Sequence, residues 1–132
     1  MIGTTGLAEI VLMVRDVAEA RRFYEETLGL RVISPDLGGP VFPQTGEDGL
    51  GVPQQIVLVP RPADAAALPT NRALRSFHHL GLMVPRGTLP EASRQLEAHG
   101  LEVRTGQHPF LNVEAIYVDD PDGNEVELVA PR

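Results

Sequence analysis

Apolar residues alternate with other residues near the start of the chain, and their spacing then becomes helical. In EIVLMV, residues 9–14, every second position is a bulky aliphatic residue, which is typical of a strand with one buried face. The segment that follows, up to Gly29, has the spacing of an amphipathic helix. Asp16 with Glu19 predicts an acidic N-cap, and Gly29 suits the left-handed position after the last turn. The opening of the chain therefore predicts a strand and a helix.

The same succession recurs about 70 residues later. Residues 79–84 alternate like residues 9–14, and the glycine that ends the first helix recurs as Gly100. A repeat that extends over nearly the whole length indicates two half-size modules.

The second helix has its own start signals. Thr88 with Glu91 predicts a capping box, with Pro90 in the first turn. Three strands are predicted after each helix, at 30–34, 40–44 and 54–60 in the first module and at 101–105, 112–118 and 124–130 in the second. We therefore expect an α+β fold of two tandem βαβββ modules, with boundaries at 7–60, 61–76 for a linker containing a short helix, and 77–132, all within one domain of residues 1–132.

Strand alternation also predicts which side chains point away from the helices. The aliphatic set of each first strand is assigned to the helix side, and so is that of the last strand. Two sheets that each cover a helix with one face leave their other faces free to line a cleft. The cleft side chains assigned in this way include Glu9, Met13, His79, Met83 and Glu127.

Three of these side chains are candidate metal ligands. One imidazole and two carboxylates, from His79, Glu9 and Glu127, suit Mn, Fe, Co, Ni or Zn. A charged residue at a strand end is more often solvated, but Glu9 and His79 occupy equivalent positions in the repeat, which favours the ligand interpretation. His78 has the opposite parity and is expected at the rim or in packing.

A fourth ligand is not evident. The first-module position equivalent to Glu127 is Ile56 or Val57, depending on the offset, and neither side chain binds metal. Gln55 is the nearest oxygen ligand, and a β-bulge would be needed to bring it to that position.

Composition narrows the class of protein. The chain of 132 residues is 42% hydrophobic, has a net charge of −7 and lacks cysteine. All 11 basic residues are arginine, and they are scattered along the sequence. We therefore expect no nucleic-acid partner and, without an apolar run of about 18 residues, no membrane span. The start of the chain has no pattern of an export signal, so a cytoplasmic location is expected.

Two stretches resemble a known family. EIVLMVRDVAEARRFYEETLGL and YVDDPDGNEVEL are similar to the opening and closing motifs of the vicinal oxygen chelate superfamily, the glyoxalase, bleomycin-resistance and extradiol-dioxygenase group. The resemblance covers about residues 7–61 and 77–132. It implies paired βαβββ modules that form an open, U-shaped eight-stranded barrel around a cleft, commonly a homodimer, with up to four metal ligands.

The resemblance also implies ligand positions. Glu127 matches the family's closing glutamate and His79 its second-module histidine, whereas Glu9 stands where a first-module histidine is usual. The replacement at Glu9 argues against a dioxygenase that needs two histidines and one carboxylate. The aliphatic fourth position argues against an ordinary four-ligand glyoxalase I or epimerase.

Three functions follow as hypotheses. The first is a metal-dependent, glyoxalase-like enzyme of lyase, isomerase or dioxygenase type that acts on a small oxygen-chelating molecule, with Glu9 as a general base if it is not a ligand. The second is a metal-free protein of the drug-resistance type that sequesters a small molecule in a dimer cleft. The third is a regulatory module with a vestigial cleft.

Further side chains are predicted to shape the cleft. Tyr117 belongs to this set, although Ile116 and Val118 leave the parity of its strand open. The complete set of predicted wall residues is Met13, Met83, Gln55, Phe42, Phe110, His108 and Tyr117.

Overall fold

The structure, a computed structural model of the chain, describes residues 1–47 and 49–132 and divides into two compact units, 1–65 and 66–132. The first unit contains β1 (Glu9–Val14), α1 (Val17–Arg21) with a π-helical continuation (Arg22–Thr27), β2 (Arg31–Val32), β3 (Pro43–Gly46) and β4 (Gln54–Pro60). The second contains a 3₁₀-helix (Arg72–Leu74), β5 (His79–Met83), α2 (Leu89–Ala98), β6 (Arg104–Gly106), β7 (Val113–Asp119) and β8 (Glu125–Pro131).

The two units have the same topology. Each has a four-stranded sheet, in the orders β1-β4-β3-β2 and β5-β8-β7-β6. The first and last strands of each unit pair in parallel, and the other pairs are antiparallel. The predicted α+β architecture of two βαβββ modules is confirmed, and so is the short helix near residue 73.

The predicted burial of alternate strand residues is also confirmed. Leu12 and Val14 of β1 are buried, as is Leu80 of β5. The helices bury Phe23 and Leu96, among other side chains. The aliphatic sets of β1 and β5 are therefore buried or half-buried, whereas Val11 and Met13 of the alternate set in β1 are exposed.

Three of the four helix-end signals predicted from the sequence are present in the structure. The Asp16 side chain accepts a hydrogen bond from the Glu19 N–H at 3.1 Å, and Gly29 and Gly100 have φ values of 76° and 80°. The predicted capping box at Thr88 is wrong. Because Thr88 is itself in a helical conformation, its Oγ1 donates to the Pro85 carbonyl instead of accepting from the helix.

Two strands are displaced from their predicted positions. β3 covers Pro43–Gly46 and not 40–44, and β6 covers Arg104–Gly106 and not 101–105. Their limits follow the neighbouring strand, since β6 exists only where its backbone meets β7, from Arg104 opposite Tyr117 to Gly106 opposite Ala115. Pairing partners, and not local apolar patterns, therefore set these short strands.

The turn between β7 and β8 fixes the register of the second sheet. The buried Asp120 carboxylate accepts hydrogen bonds from the backbone N–H groups of Asp122 and Asn124, at 2.9 and 2.8 Å. Gly123 has a φ of 77°, as the predicted turn requires.

Among the described residues, no helix combines the length and apolar character that a membrane crossing requires.

Candidate functional site

His79 and Glu127 lie on neighbouring strands of the second sheet. β5 and β8 pair so that His79 is opposite Glu125 and Gly81 is opposite Glu127. The Nε2 atom of His79 lies 3.5 Å from Oε2 of Glu127. The Glu127 side chain is only 10% exposed, whereas that of His79 is 34% exposed. A nearly buried carboxylate therefore contacts an imidazole that solvent can reach.

Tyr117 contacts Glu127 and lies on the same face of the sheet. The sequence had left open which face of its strand Tyr117 occupies. Ile116 and Val118 are both buried, and Tyr117 points to the opposite face, where it is paired with Glu127 in the ladder. Its hydroxyl donates to Oε1 of Glu127 at 2.9 Å. Burial, followed by the hydrogen bond to Glu127, raises the pKa of Tyr117 to about 12. The phenol therefore stays protonated and holds one oxygen of the carboxylate.

Two glycines make room for these side chains. A Cβ atom on Gly81 would lie 2.8 Å from Oε2 of Glu127. A Cβ atom on Gly106 would lie 2.6 Å from the Tyr117 ring. Both distances are too short for a side chain, so the positions of Glu127 and Tyr117 depend on glycine in the neighbouring strand.

His78 contacts His79 directly, which the sequence did not predict. The two Nδ1 atoms are 2.7 Å apart, and the rings meet edge to face with centroids separated by 4.9 Å. Ligand atoms of His78, His79 and Glu125 all lie within 4.8 Å of one another. His78 is exposed just before β5, which begins at His79 as the alternation predicted, so its expected rim position agrees with the structure.

Comparison with known proteins identifies the family. The sequence profile of the Glyoxalase/Bleomycin resistance protein/Dioxygenase superfamily matches residues 6–128. The chain belongs to this superfamily. A catechol-2,3-dioxygenase from Bacillus subtilis (strain 168) is 25% identical over 122 residues, which are 92% of this chain and 40% of that protein. The chain thus spans less than half the length of this relative.

Solved structures of similar proteins have the superfamily fold. A glyoxalase/dioxygenase from Nostoc punctiforme has 18% identity and a TM-score of 0.74, with 100% of this chain and 99% of that chain covered. A lactoylglutathione lyase from Agrobacterium tumefaciens has 22% identity and a TM-score of 0.68, with coverage of 96% and 94%. At such identities the likeness concerns the fold alone.

The predicted ligand positions of the first module carry different residue types from those of the second module. Glu9, predicted as a ligand, is exposed and accepts a hydrogen bond from the Gln55 amide at 2.9 Å. Gln55 is opposite Glu9 in the parallel ladder of β1 and β4, which continues without a shift from Glu9 to Val14. The bulge that would move Gln55 into a fourth ligand position is therefore absent from this fully described ladder.

Val57 occupies the position equivalent to Glu127. Val57 is opposite Val11 in the first sheet, just as Glu127 is opposite Gly81 in the second. This register also decides between the two positions that the sequence offered, since Ile56 pairs with Ile10 and has the other orientation. The second sheet contributes a carboxylate where the first contributes an aliphatic side chain.

An ion-pair network borders the histidines. Arg104 contacts Asp119 at 2.7 Å and Glu125 at 3.1 Å, and Arg72 contacts Asp119 at 2.6 Å. Burial by itself raises the pKa of Asp119, but the hydrogen bonds from Arg72 and Arg104 outweigh it and hold the pKa below its usual value. Both arginines thus neutralise carboxylates beside His79.

The remaining predicted wall residues are placed as follows. Met13 and Met83 are 59% and 84% exposed on their strands, and Phe110 is also exposed. The Nδ1 atom of His108 accepts a hydrogen bond from the Phe110 N–H at 3.2 Å, and Phe42 is half-buried. Contact of these side chains with a ligand stays a prediction.

A cavity of about 540 Å³ lies elsewhere in the second unit. Its walls include Leu89 and Ser93 of α2, Thr105 of β6 and Ile116 of β7. Ile116 lies on the face of β7 opposite Tyr117, so this cavity is separate from the His79 site.

Proposed function

We propose that the chain is a glyoxalase-like, metal-dependent enzyme that acts on a small molecule with two adjacent oxygen atoms. The observation that carries the proposal is the contact of His79 with Glu127, at the positions where the superfamily resemblance implies ligands. The wider reaction class is a lyase, an isomerase or a dioxygenase.

The side chains that are present fit a divalent cation. An imidazole nitrogen and a carboxylate oxygen are ligands for Mn, Fe, Co, Ni and Zn. Gly81 leaves space for the Glu127 carboxylate, and the Tyr117 hydroxyl orients it from behind, as an outer partner of a metal ligand does. Within the described residues, Oε1 of Glu127 accepts from Tyr117, whereas the neighbour of Oε2 is the His79 ring at 3.5 Å. This oxygen is therefore available to a cation.

The chemistry of the site follows from these groups. A bound divalent cation would supply Lewis-acid polarisation of a substrate oxygen. Tyr117 keeps Glu127 in one rotamer, because its proton is retained well beyond neutral pH. A role for Glu9, as third ligand or as the base that accepts a substrate proton, stays a prediction. Replacement of Glu9 by glutamine separates the two roles, since a lost base lowers turnover while the metal stays bound.

Among the reaction types, lyase or isomerase chemistry is favoured. A catechol-2,3-dioxygenase is a sequence relative, whereas a lactoylglutathione lyase is similar in fold alone. The two-histidine, one-carboxylate set of non-haem iron oxygenases would require an imidazole where this chain has Glu9. An α-hydroxycarbonyl compound and a catechol are therefore the two substrates to compare.

Metal analysis of protein purified without chelator tests the proposal. We expect about one Mn, Fe, Co, Ni or Zn ion per chain, and its loss in His79→Ala and in Glu127→Ala. The matched controls are His99→Ala and Glu97→Ala, which change the same residue types on an exposed helix end. Protein that stays metal-free after titration with Mn²⁺, Fe²⁺, Ni²⁺ and Zn²⁺ would exclude a metal-dependent enzyme.

Val57 favours a second candidate function. With an aliphatic side chain at the position equivalent to Glu127, the ligand set is smaller than the four that the resemblance allows. A metal-free protein that binds a small molecule without chemical change, as a homodimer, would need no fourth ligand. Sedimentation of the purified chain and ligand binding in the presence of chelator test this alternative.

A further inference from the structure

The contact between the two histidines constrains where their protons lie. A separation of 2.7 Å between the Nδ1 atoms of His78 and His79 is a hydrogen-bond distance. A neutral imidazole has one N–H group and one acceptor nitrogen. One Nδ1 therefore donates and the other accepts, and the direction determines which nitrogen of His79 has a free lone pair.

The surroundings of Nε2, the other ring nitrogen of His79, indicate the direction of this hydrogen bond. Its Nε2 atom is 3.5 Å from Oε2 of Glu127, which is longer than the usual N–H···O range of about 2.7–3.2 Å. Two ligands that share a tetrahedral cation at about 2.1 Å from each are about 3.4 Å apart. The observed separation thus suits an Nε2 lone pair that faces Glu127 across a cation better than an Nε2–H group that donates to it.

We propose that His78 is a positioning residue: its Nδ1 accepts a hydrogen bond from the Nδ1–H of His79 and holds His79 in the tautomer whose Nε2 lone pair faces Glu127. The inference rests on the proposed metal site and adds the residue that orients its imidazole. A partner on the second ring nitrogen commonly fixes the tautomer of a metal-binding histidine.

The alternative is a cation on the Nδ1 side, between His78, His79 and Glu125. The charges argue against it. Oε2 of Glu125 accepts from Arg104 at 3.1 Å and lies 4.0 Å from Arg72. Two guanidinium groups beside this carboxylate would repel a divalent cation, whereas Tyr117 brings no charge to Glu127. The Nε2 side is therefore the metal side.

The tautomer can be measured directly in the metal-free protein. Long-range ¹H–¹⁵N spectra of histidine-labelled protein report which ring nitrogen of His79 carries the proton, and His79→Ala assigns the signals. We expect the Nδ1–H form in the wild type. In His78→Asn the amide oxygen can replace Nδ1 as acceptor, so this form is retained. In His78→Leu the acceptor is lost and the Nε2–H form appears. His99→Gln is the control and leaves the His79 signals unchanged.

Calorimetric titration with Zn²⁺ and Ni²⁺ gives the second readout. We expect His78→Leu to bind these ions about 10- to 100-fold more weakly, and His78→Asn to stay close to the wild type. Glu125→Gln is expected to retain the affinity, and Glu127→Gln to lose it. An Nε2–H tautomer in the wild type, equal losses in both His78 variants, or a loss in Glu125→Gln equal to that in Glu127→Gln would overturn the proposal. If the wild type binds neither ion, the metal-dependent function fails, while the tautomer measurement still decides the role of His78.

Discussion

Gly81 and Glu127 face each other across the parallel ladder of β5 and β8, and the carboxylate uses the space that a side chain at Gly81 would fill. A Cβ atom there would lie 2.8 Å from Oε2 and 3.8 Å from Cδ of Glu127. The oxygen that approaches Gly81 is the same one that lies 3.5 Å from His79. The glycine thus determines where the proposed metal ligand can point.

Gly81→Ala tests this relationship. Because the carboxylate must move away from the new methyl group, we expect metal affinity to fall about tenfold, as for the loss of an orienting contact. Isothermal titration with Zn²⁺ measures it. Gly3→Ala is the matched control, since a Cβ atom at Gly3 meets no atom within 4 Å. Unchanged affinity in Gly81→Ala would show that Glu127 is not held against Gly81.

Alkaline titration tests the hydrogen bond between Tyr117 and Glu127. Tyr24 and Tyr117 are the two tyrosines of the chain, so Tyr24→Phe isolates the signal of Tyr117. We expect tyrosinate absorbance to rise with a pKa of about 12. Adding Glu127→Gln should move the pKa towards the ordinary value of 10.0, because a negative neighbour is removed. A pKa that does not respond to Glu127→Gln would leave burial and the charge of Glu125 as its causes.

The same shift predicts how stability depends on pH. The folded protein keeps the Tyr117 proton when the unfolded chain loses it, at a pKa of about 10. The contribution of Tyr117 to the free energy of unfolding is therefore constant below that pH, falls as pH rises to about 12, and is constant above it. Urea unfolding of the wild type and of Tyr117→Phe measures it, and we expect their difference to change only in this alkaline window.

The lowered pKa of Asp119 predicts that the stability of the protein depends on pH in acid. The pKa of Asp119 is lowered in the folded protein, so its ion pairs stabilise fully above the unfolded pKa and are lost as pH falls through the folded pKa. Because the side chain is 37% exposed, we expect Asp119→Asn to cost only about 1 kcal/mol at neutral pH. The cost should vanish in acid. Asp64→Asn, in the exposed segment after β4, is the matched control.

The turn at Asp120 predicts a larger effect on stability. Asp120→Ala removes the acceptor of the Asp122 and Asn124 amides and should lower the free energy of unfolding by about 2–4 kcal/mol. Gly123→Ala places a Cβ atom at a φ of 77° and should cost about 1 kcal/mol. Denaturant unfolding measures both, with Gly3→Ala as the neutral reference. Equal stabilities of all three variants would mean that the turn does not hold the second sheet together.

Much of the fold could be predicted from the sequence because its signals are local. The alternation in residues 9–14 and 79–84, the Asp16 cap and the glycines after both helices depend on backbone preferences within a few residues. The internal repeat then supplied the modular architecture. The wrong prediction of a capping box at Thr88 also has a local cause. The Thr88 hydroxyl had two acceptable partners, and it bonds the Pro85 carbonyl.

The sequence by itself determined the two βαβββ modules and the orientation of His79 and Glu127 on their strands, because alternation and helical spacing are properties of a continuous stretch of chain. Only the tertiary structure decided that Tyr117 bonds Glu127, that Val57 is the first-module counterpart of Glu127, and that His78 contacts His79. The first two depend on the register between strands that are distant in sequence. The third depends on the side-chain conformations of two adjacent residues, which alternation along a strand does not specify. Pairing between strands that are far apart in the sequence selects one register among several that a local pattern cannot distinguish.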